Sequence, residues 1–360
     1  MSDVIHEKYM QIAISLAKRG LGNVAPNPTV GCVIVKDNRI ISSAVTDTGG
    51  RPHAEALALK GKDVSGATAY VTLEPCCHYG KTPPCTEAII NSGIKKVVIA
   101  ALDPYFQVAG QGIRRLKDAQ IEVIYGVCEE QAKELNSGFF YVQEKARPYV
   151  TLKLAISADN KIADSSGHSK WITCERTRQY AHYIRALNDA VMIGSGTLVL
   201  DDPQLTCRLP GMFKQSPVRV VLDNNMAIKK DSKLVTGYKR NLIPVWVITS
   251  AGKNDDILNK IGVKIFNCTD KVDILEALNI LAKQGITRLL VEGGSSVASS
   301  FIKEDVVDEF VVMRSKKIIG ADGIEAIRNF DLTDVLKSKF RKISKKSIED
   351  DIVEIYKKIL

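Results

Sequence analysis

Three side chains that bind zinc well, and that stand far apart in the sequence, constrain the fold of this chain most. His53 starts a His-Ala-Glu triplet, and Cys76 and Cys85 follow in a proline-rich segment. Imidazole and thiolate are preferred zinc ligands, and a catalytic zinc keeps three protein ligands and leaves a fourth position to water. Glu55 adds a carboxylate that need not bind the metal. The fold therefore has to bring two sulfur atoms and one imidazole to a single point beside a carboxylate.

This set of groups is typical of hydrolytic deamination. Zinc lowers the pKa of bound water to roughly neutrality, and a nearby carboxylate can move protons. Zinc nucleobase deaminases carry His-x-Glu, then Pro-Cys and a second cysteine, with the glutamate outside the metal shell. We predict His53, Cys76 and Cys85 as the metal ligands and Glu55 as the catalytic proton carrier. Cys77 is not expected to join them, because adjacent side chains rarely reach one tetrahedral ion.

Length and composition restrict the class of protein. At 360 residues the chain is long enough for two domains, and its 45% hydrophobic and 25% charged residues are ordinary for a soluble globular protein. Eight cysteines in such a chain indicate metal chemistry in a reducing compartment and not a disulfide framework. The first residues lack a secretory signal, and no apolar run approaches the length of a membrane helix. We expect a cytoplasmic protein with no membrane partner.

The net charge of +9 would suit nucleic acid or small phosphorylated ligands. The lysines are spread along the chain, which favours solvated faces over a nucleic-acid stripe. We therefore predict no nucleic-acid partner.

The first half alternates helices and strands. The predicted elements are a helix over residues 5–16, strands over 30–35 and 39–44, a helix from Pro52, a strand over 69–73, a helix over 85–92 and a strand over 96–102. This order places the three metal ligands where strands and helices meet, so that two helix N-termini can face one metal and help to stabilise thiolates.

The second half begins after a charged linker at residues 143–147. The predicted strands are 149–157, 190–193, 218–222, 245–249, 288–291 and 309–313, with helices over 175–187 and 273–284. The Gly293-Gly294 turn and residues 194–197 each follow a strand, so their backbone amides can hold a phosphate. Neither turn is a GxGxxG fingerprint with an acidic ribose ligand, which argues against an ordinary Rossmann domain.

Residues 74–85 read Glu-Pro-Cys-Cys-His-Tyr-Gly-Lys-Thr-Pro-Pro-Cys, with the second cysteine nine positions after Cys76. With this long loop the chain resembles the bacterial riboflavin-biosynthesis bifunctional deaminase/reductases, and not cytidine or tRNA-adenosine deaminases. Further matching segments are residues 26–31, 170–173, 201–208 and 291–294. The resemblance covers nearly the whole chain and is weakest after about residue 320.

The resemblance implies an α/β protein with a cytidine-deaminase-like zinc domain over residues 1–145 and a dihydrofolate-reductase-like domain over 146–360. The implied cofactors are Zn²⁺ and NADPH. The implied substrate is a phosphorylated pyrimidine, 2,5-diamino-6-(5-phosphoribosylamino)pyrimidin-4-one, which is deaminated by hydrolysis and whose ribosyl group is then reduced to ribityl.

The resemblance also implies individual contacts. In the zinc domain the implied substrate contacts are Asn27, Lys81 and Asp103. The implied NADPH contacts are Ala155, Trp171, Thr197, Asp201, Asn224, Gly294, Ser295, Ser296, Val297, Ala298, Ser299 and Ser300. The implied substrate contacts of the reductase are Ser169, Arg185, Leu205, Arg208 and Glu292. Arginine offers fork-shaped donors for a sugar phosphate.

Three departures from the family lie in the implied deaminase site. The family usually has a histidine where Thr46 stands, Asp-Pro-Asn-Pro where residues 103–106 read Asp-Pro-Tyr-Phe, and a basic residue where Gln111 stands. Because the metal ligands and Glu55 are intact, we hypothesise weak or altered deamination. In the reductase half Asn160 replaces a usual glycine, and asparagine tolerates the positive φ of such a turn.

Two other interpretations stay open. One is a reductase whose zinc half is weak or structural, which ammonia release and a Glu55→Ala control would separate from a bifunctional enzyme. The other is a nucleic-acid deaminase or binding protein, which would bind RNA with a steep salt dependence and leaves the segments around Trp171, Asp201 and Glu292 unexplained. The sequence does not fix the oligomeric state, so a homo-oligomer remains open, and no general acid for the reduction stands out.

Overall fold

The computed structural model describes residues 3–105, 108–167, 172–241 and 243–359. It divides into two compact units, Met1–Ala146 and Arg147–Leu360. Within the described ranges no helix combines the length and the apolar character needed to cross a bilayer. Two predicted contacts, Ser169 and Trp171, lie outside the described residues.

The first unit is built on a five-stranded sheet. Its strands are β1 (Gly31–Lys36), β2 (Arg39–Val45), β3 (Thr68–Leu73), β4 (Lys96–Ala101) and β5 (Glu122–Tyr125). Its α-helices are α1 (Asp3–Ala17), α2 (Ala54–Leu59), α3 (Cys85–Asn91), α4 (Gln111–Asp118), α5 (Glu129–Leu135) and α6 (Ser137–Lys145). The sheet order is β2-β1-β3-β4-β5, in which β1 is antiparallel to both neighbours and β3, β4 and β5 are parallel.

The apolar runs of β3 and β4 follow from burial of both sheet faces. All but the first residue of each strand is buried, as expected of parallel strands covered by helices. The stripe of α1 that carries Met10 and Ala13 packs in the same core. Since β3 and β4 are parallel neighbours, their carboxyl ends lie side by side, and Glu74 and Asp103 follow these ends.

The start of α2 differs from the sequence prediction. We predicted a helix from Pro52 with His53 in its first turn, but the helix begins at Ala54 and His53 is the extended residue before it. The His53 carbonyl already accepts a hydrogen bond from Leu57 N at 3.2 Å, as the carbonyl of an N-cap residue does. Glu55 lies in the first turn as predicted.

The second unit is built on a nine-stranded sheet and a two-stranded sheet. Its strands are β6 (Tyr149–Ile156), β7 (Lys161–Ala163), β8 (Ala190–Gly194), β9 (Val218–Leu222), β10 (Val245–Thr249), β11 (Lys264–Asn267), β12 (Arg288–Val291), β13 (Glu309–Arg314), β14 (Ile324–Glu325), β15 (Phe340–Ile348) and β16 (Asp351–Lys358). Its α-helices are α7 (Glu175–Ala186), α8 (Ser195–Asp201), α9 (Lys233–Asn241), α10 (Asp256–Ile261), α11 (Ile274–Lys283), α12 (Ser295–Lys303) and α13 (Leu332–Lys339).

The large sheet has the order β11-β10-β9-β8-β12-β6-β13-β16-β15, and β14 pairs with β7. The strands from β11 to β13 in this order are parallel, and the last two pairings are antiparallel. Ligands of open parallel sheets bind beyond the carboxyl ends of the strands. At that edge β8 leads through Gly194 into α8, and β12 leads through residues 292–294 into α12. A Cβ added at Gly293 would lie 2.6 Å from Val297 Cβ, so this turn has to be tight.

Candidate active sites

His53, Cys76 and Cys85 converge at one point in the first unit. His53 Nδ1 lies 3.3 Å from Cys85 Sγ and 3.6 Å from Cys76 Sγ. The three ligand atoms all lie within 4.8 Å of one another. In a tetrahedral site with Zn–N near 2.0 Å and Zn–S near 2.3 Å, a nitrogen and a sulfur ligand are about 3.5 Å apart. The three residues therefore fit a zinc ion.

The charges at this centre also favour a cation. The hydrogen bond from Cys85, and then that from His53, lower the pKa of Cys76 to about 4, so Cys76 is a thiolate at neutral pH. The hydrogen bond with Cys76, together with burial, raises the pKa of Cys85. Two sulfur atoms this close can both ionise only with a cation between them. Cys77 does not belong to the group of ligand atoms that converge here.

Glu55 lies beside the three ligands and not among them. Its side chain is buried, and Oε2 has no hydrogen-bond partner within the described part of the chain. Burial, and then the negative charge of Cys76, raise the pKa of Glu55 to about 7. A buried carboxylate oxygen needs a partner from a ligand or water. Glu55 is therefore placed to exchange a proton with a molecule bound at the metal.

A cavity of about 280 Å³ reaches this centre. Asn27 and Asp103, two of the predicted substrate contacts, line this deaminase cavity. Burial raises the pKa of Asp103 to about 7. The third predicted contact, Lys81, is exposed on the loop before α3 and does not line the cavity.

Two of the three departures from the family also line the deaminase cavity. Thr46 and Tyr105 contribute to its wall, whereas Gln111 is an exposed residue at the start of α4. Thr46 is buried, and its hydroxyl accepts a hydrogen bond from Val30 N at 3.0 Å. The hydroxyl is therefore used within the protein.

Glu74 fixes the loop that carries Asp103 and Tyr105. Its carboxylate accepts hydrogen bonds from Gly110 N at 2.9 Å and from Ile113 N at 3.1 Å. These N–H groups open α4, where a carboxylate is favourable. Glu74 was not predicted as a site residue. Its position directly after a buried strand could have indicated a place at the carboxyl edge of the sheet.

A cavity of about 470 Å³ lies at the carboxyl edge of the large sheet in the second unit. We call it the cofactor cavity. The predicted NADPH contacts that line it are Thr197, Asp201, Asn224, Gly294, Ser295, Ser296, Val297 and Ser300. No side chain caps α12, and the Oγ atom of Ser295 is buried without a partner in the described residues. These free donors fit the phosphates of a dinucleotide.

Three predicted cofactor contacts, Ala155, Ala298 and Ser299, do not line the cofactor cavity. Ala298 is fully buried in α12, and Ser299 Oγ is bonded to the carbonyls of Ser295 and Arg328. Ala155 lines a separate cavity of about 460 Å³, which we call the reductase substrate cavity.

The reductase substrate cavity contains a buried ion pair. Arg185 donates to both oxygens of Glu292, at 2.5 and 2.9 Å, and Lys153 Nζ lies 3.1 Å from Glu292 Oε2. Although burial alone would raise it, the charges of Arg185 and Lys153 hold the pKa of Glu292 below its usual range. Arg208 lines the same cavity, whereas the predicted contact Leu205 is buried outside its wall.

Sequence reasoning missed Lys153. Lys153 stands within the apolar strand β6, and a charged residue in such a strand could have indicated a functional site. Glu292 lines this cavity and Gly294 lines the cofactor cavity, so one turn borders both.

Replacing Glu292 by Gln is expected to destabilise the second unit by roughly 3–5 kcal/mol, because the charges of Lys153 and Arg185 would lose their buried partner. Both tryptophans of the chain, Trp171 and Trp246, belong to this unit, so tryptophan fluorescence during urea unfolding reports on it. Glu349→Gln is the matched control, since it breaks an exposed pair with Arg176 and should cost less than about 1 kcal/mol. Equal shifts in the two variants would contradict this account.

His182 is a neutral residue of the same cavity. Its Nδ1 lies 2.9 Å from the Thr206 carbonyl oxygen, so this nitrogen carries the hydrogen and donates. Burial, and then the charges of Arg185 and Arg208, lower the pKa of His182 from 6.5 to about 4. His182 was not predicted from the sequence, and its lowered pKa disfavours the imidazolium form at neutral pH.

The unfolding free energy of the second unit should fall as the pH is lowered from about 6.5 to about 4. In this window the unfolded chain binds a proton at His182 that the folded unit excludes, so protonation favours unfolding. Urea midpoints from tryptophan fluorescence at pH 7.5 and 5 should therefore differ less in His182→Gln than in the wild type. The same difference in both proteins would show that His182 does not titrate this way.

One unit brings three metal-binding side chains together beside a carboxylate that has no partner among the described residues. The other has a cavity at the carboxyl edge of its parallel sheet, lined by the start of a helix. These features fit a zinc deaminase joined to a nucleotide-dependent reductase. Family models agree with this division. The cytidine and deoxycytidylate deaminase zinc-binding region matches residues 3–101, and the RibD C-terminal domain matches residues 148–353.

Relatives match over most or all of the chain. The riboflavin biosynthesis protein RibD of Bacillus amyloliquefaciens is 45% identical over 322 residues, covering 88% of this chain and 86% of the relative. RibD of Aquifex aeolicus is 41% identical and covers 98% of this chain and 99% of its own. A Thermotoga maritima diaminohydroxyphosphoribosylaminopyrimidine deaminase/5-amino-6-(5-phosphoribosylamino)uracil reductase is 38% identical with a TM-score of 0.89, over 100% of both chains. Acinetobacter baumannii RibD is 36% identical with a TM-score of 0.91, again over 100% of both chains.

The chain belongs to the RibD family, the bifunctional deaminase/reductases of riboflavin biosynthesis. The predicted fold class, the two enzymatic activities and the use of Zn²⁺ and NADPH are confirmed. The individual contact residues, a cytoplasmic location and the oligomeric state stay predictions.

Proposed function

We propose that this chain deaminates a phosphoribosylamino-pyrimidine with Glu55 as the proton carrier and then reduces the ribosyl group of the product at the turn around Glu292. The main support for the proposal is that the ligand atoms of His53, Cys76 and Cys85 lie within 4.8 Å of one another. Beside them lies Glu55, whose Oε2 atom has no hydrogen-bond partner among the described residues.

In the deaminase cavity His53, Cys76 and Cys85 would hold the zinc, which when bound activates water for attack. Glu55 takes a proton from the attacking water and returns protons to the departing amine, so that oxygen replaces nitrogen on the ring. The Oδ1 atom of Asn27 and the carboxyl group of Asp103 face the ring as hydrogen-bonding groups. Asn27 is held for this role, since its Nδ2 donates to Gly50 O at 2.8 Å.

In the second unit NADPH supplies the hydride when bound. Backbone amides at the start of α12 and the side chain of Thr197 would hold its phosphates, and Arg328 adds positive charge to the wall of the cofactor cavity. Arg185 is held by Glu292, and Arg208 lines the same cavity. The two arginines would bind the sugar phosphate and so position the ribosyl group for the hydride that NADPH would supply.

Incubation with the diaminopyrimidine substrate, with and without NADPH, tests the proposal when ammonia and NADPH oxidation are followed separately. We expect ammonia in both samples and NADPH oxidation that depends on prior deamination. NADPH oxidation with the deaminated pyrimidine, but no ammonia from the diaminopyrimidine, would instead show a reductase with a structural zinc domain. Thr46 and Tyr105 in the cavity wall are the observations that favour this second candidate.

A further inference from the structure

Arg51 has a buried side-chain donor, its Nε atom, that no group in the described part of the protein satisfies. It is the one arginine or lysine among the described residues that line the deaminase cavity. Its Nε atom is buried and has no hydrogen-bond partner among those residues. A buried donor without a partner is costly, so the guanidinium is set up for an anion brought by a ligand.

A second donor lies on the same edge of the cavity. A Cβ atom built on Gly80 would lie 3.9 Å from both Arg51 Nη2 and His78 Nε2, so these two side chains flank the same glycine. His78 also lines the cavity, and its Nδ1 is buried without a partner in the described ranges. One edge of the cavity therefore presents the guanidinium group of Arg51 and the ring nitrogens of His78 together.

The acidic groups of the cavity do not neutralise Arg51. Glu74 accepts backbone hydrogen bonds from the start of α4, and Asp103 Oδ1 accepts one from Tyr105 N at 2.8 Å. Glu55 lies at the metal centre, where the charged groups that act on it are Cys76 and His53. The hydroxyl of Thr46, in the same cavity wall, accepts a hydrogen bond from Val30 N and carries no charge.

We propose that Arg51 binds the phosphate group of the deaminase substrate and makes this half of the enzyme specific for the phosphorylated pyrimidine. The inference rests on the proposed function and deepens it. A guanidinium group binds phosphate oxygens through two parallel donors. Arg51 and His78 line the same cavity as Glu55, Asn27 and Asp103, so a substrate whose ring reaches Glu55 can place its phosphate against the nitrogens of Arg51 and His78.

The test compares deamination of the phosphorylated pyrimidine with that of the same compound after its phosphate is removed. Arg51→Gln should raise KM for the phosphorylated compound roughly 10- to 100-fold, the range of a charged hydrogen bond, and leave KM for the dephosphorylated compound and the zinc content unchanged. The KM of Arg51→Lys for the phosphorylated compound should lie between those of the wild type and Arg51→Gln, because lysine keeps the charge but not the paired donors. Arg39→Gln, an exposed arginine on β2, should behave as the wild type.

A direct binding measurement separates this inference from the proposed function. The phosphorylated pyrimidine is titrated calorimetrically into Glu55→Gln, with and without Arg51→Gln. Loss of one binding event in the double variant supports the inference even if the wild type releases no ammonia, which would overturn the proposed function alone. Identical isotherms, or an equal KM change for both compounds, would overturn the inference about Arg51. A lower kcat together with loss of zinc would also overturn it, because that result would assign Arg51 to the metal centre.

Discussion

Replacing Glu55 by Gln should slow ammonia release by roughly 10²- to 10⁴-fold, the usual contribution of a positioned acid–base group. Glutamine keeps the shape of the side chain but cannot accept or return a proton. The carboxyl group is buried beside the zinc ligands and is not one of them, so the zinc content should stay the same. Ammonia release from the diaminopyrimidine and metal analysis of the purified variant measure the two quantities.

Glu130→Gln is the control for this substitution, because Glu130 is exposed on α5, away from the deaminase cavity. Both variants should oxidise NADPH normally when the deaminated pyrimidine is supplied, since the cofactor cavity belongs to the second unit. Ammonia release at the wild-type rate in Glu55→Gln would remove Glu55 from the mechanism.

Replacing Cys76 by Ser should remove the zinc and abolish deamination. A serine hydroxyl does not ionise near neutral pH, whereas the hydrogen bonds of Cys85 and His53 lower the pKa of the Cys76 thiol to about 4. Loss of one of three ligands should weaken zinc binding by more than the roughly 10- to 100-fold that follows loss of a residue that only orients a ligand. Metal analysis after dialysis, combined with ammonia release, checks this prediction.

The chain contains its own control for this experiment. Cys77 is adjacent to Cys76 but is not in the ligand group, and the carbonyl of Cys77 accepts a hydrogen bond from Arg115 Nη1 at 2.9 Å. Cys77→Ser should therefore retain one zinc per chain and most of the deaminase activity. Retention of zinc by Cys76→Ser, or loss of zinc from Cys77→Ser, would mean that the ligands are assigned wrongly.

The convergence of His53, Cys76 and Cys85 was predictable because strong local signals surround these residues. Their role as zinc ligands stays a prediction. A buried strand precedes Cys76, a proline pair precedes Cys85, and the side-chain types leave little other chemistry. The predicted strands of both halves agree with the structure within a residue or two. Most of them are parallel strands buried on both faces, which give continuous apolar runs.

The cavity walls were less predictable, since they depend on loops without periodicity. Tyr105 and Asp103 reach the deaminase cavity only because Glu74 holds their loop at the start of α4, and Lys81 of the motif stays outside. A role for Arg51 could not be predicted from the sequence, because it depends on the absence of a hydrogen-bond partner for Nε among the described residues.

The C-terminal hairpin was missed for a different reason. Strands β15 and β16 pair antiparallel at the edge of the large sheet. All seven inner residues of β15 are exposed, so the strand shows no alternation of apolar and polar residues. β15 is the last strand in the sheet order of the described residues, and lysines on an edge strand disfavour pairing with other chains. In the sequence, such lysines predict only an exposed surface.

X-ray absorption at the zinc edge tests the central claim most directly, because it reports the atoms bound to the metal in the purified protein. The structure predicts two sulfur atoms at about 2.3 Å, one nitrogen at about 2.0–2.1 Å and one further light atom, with the same spectrum in Glu55→Gln. Three or more sulfur ligands, or a spectrum that changes when Glu55 is replaced, would contradict a centre held by His53, Cys76 and Cys85 with the carboxylate free.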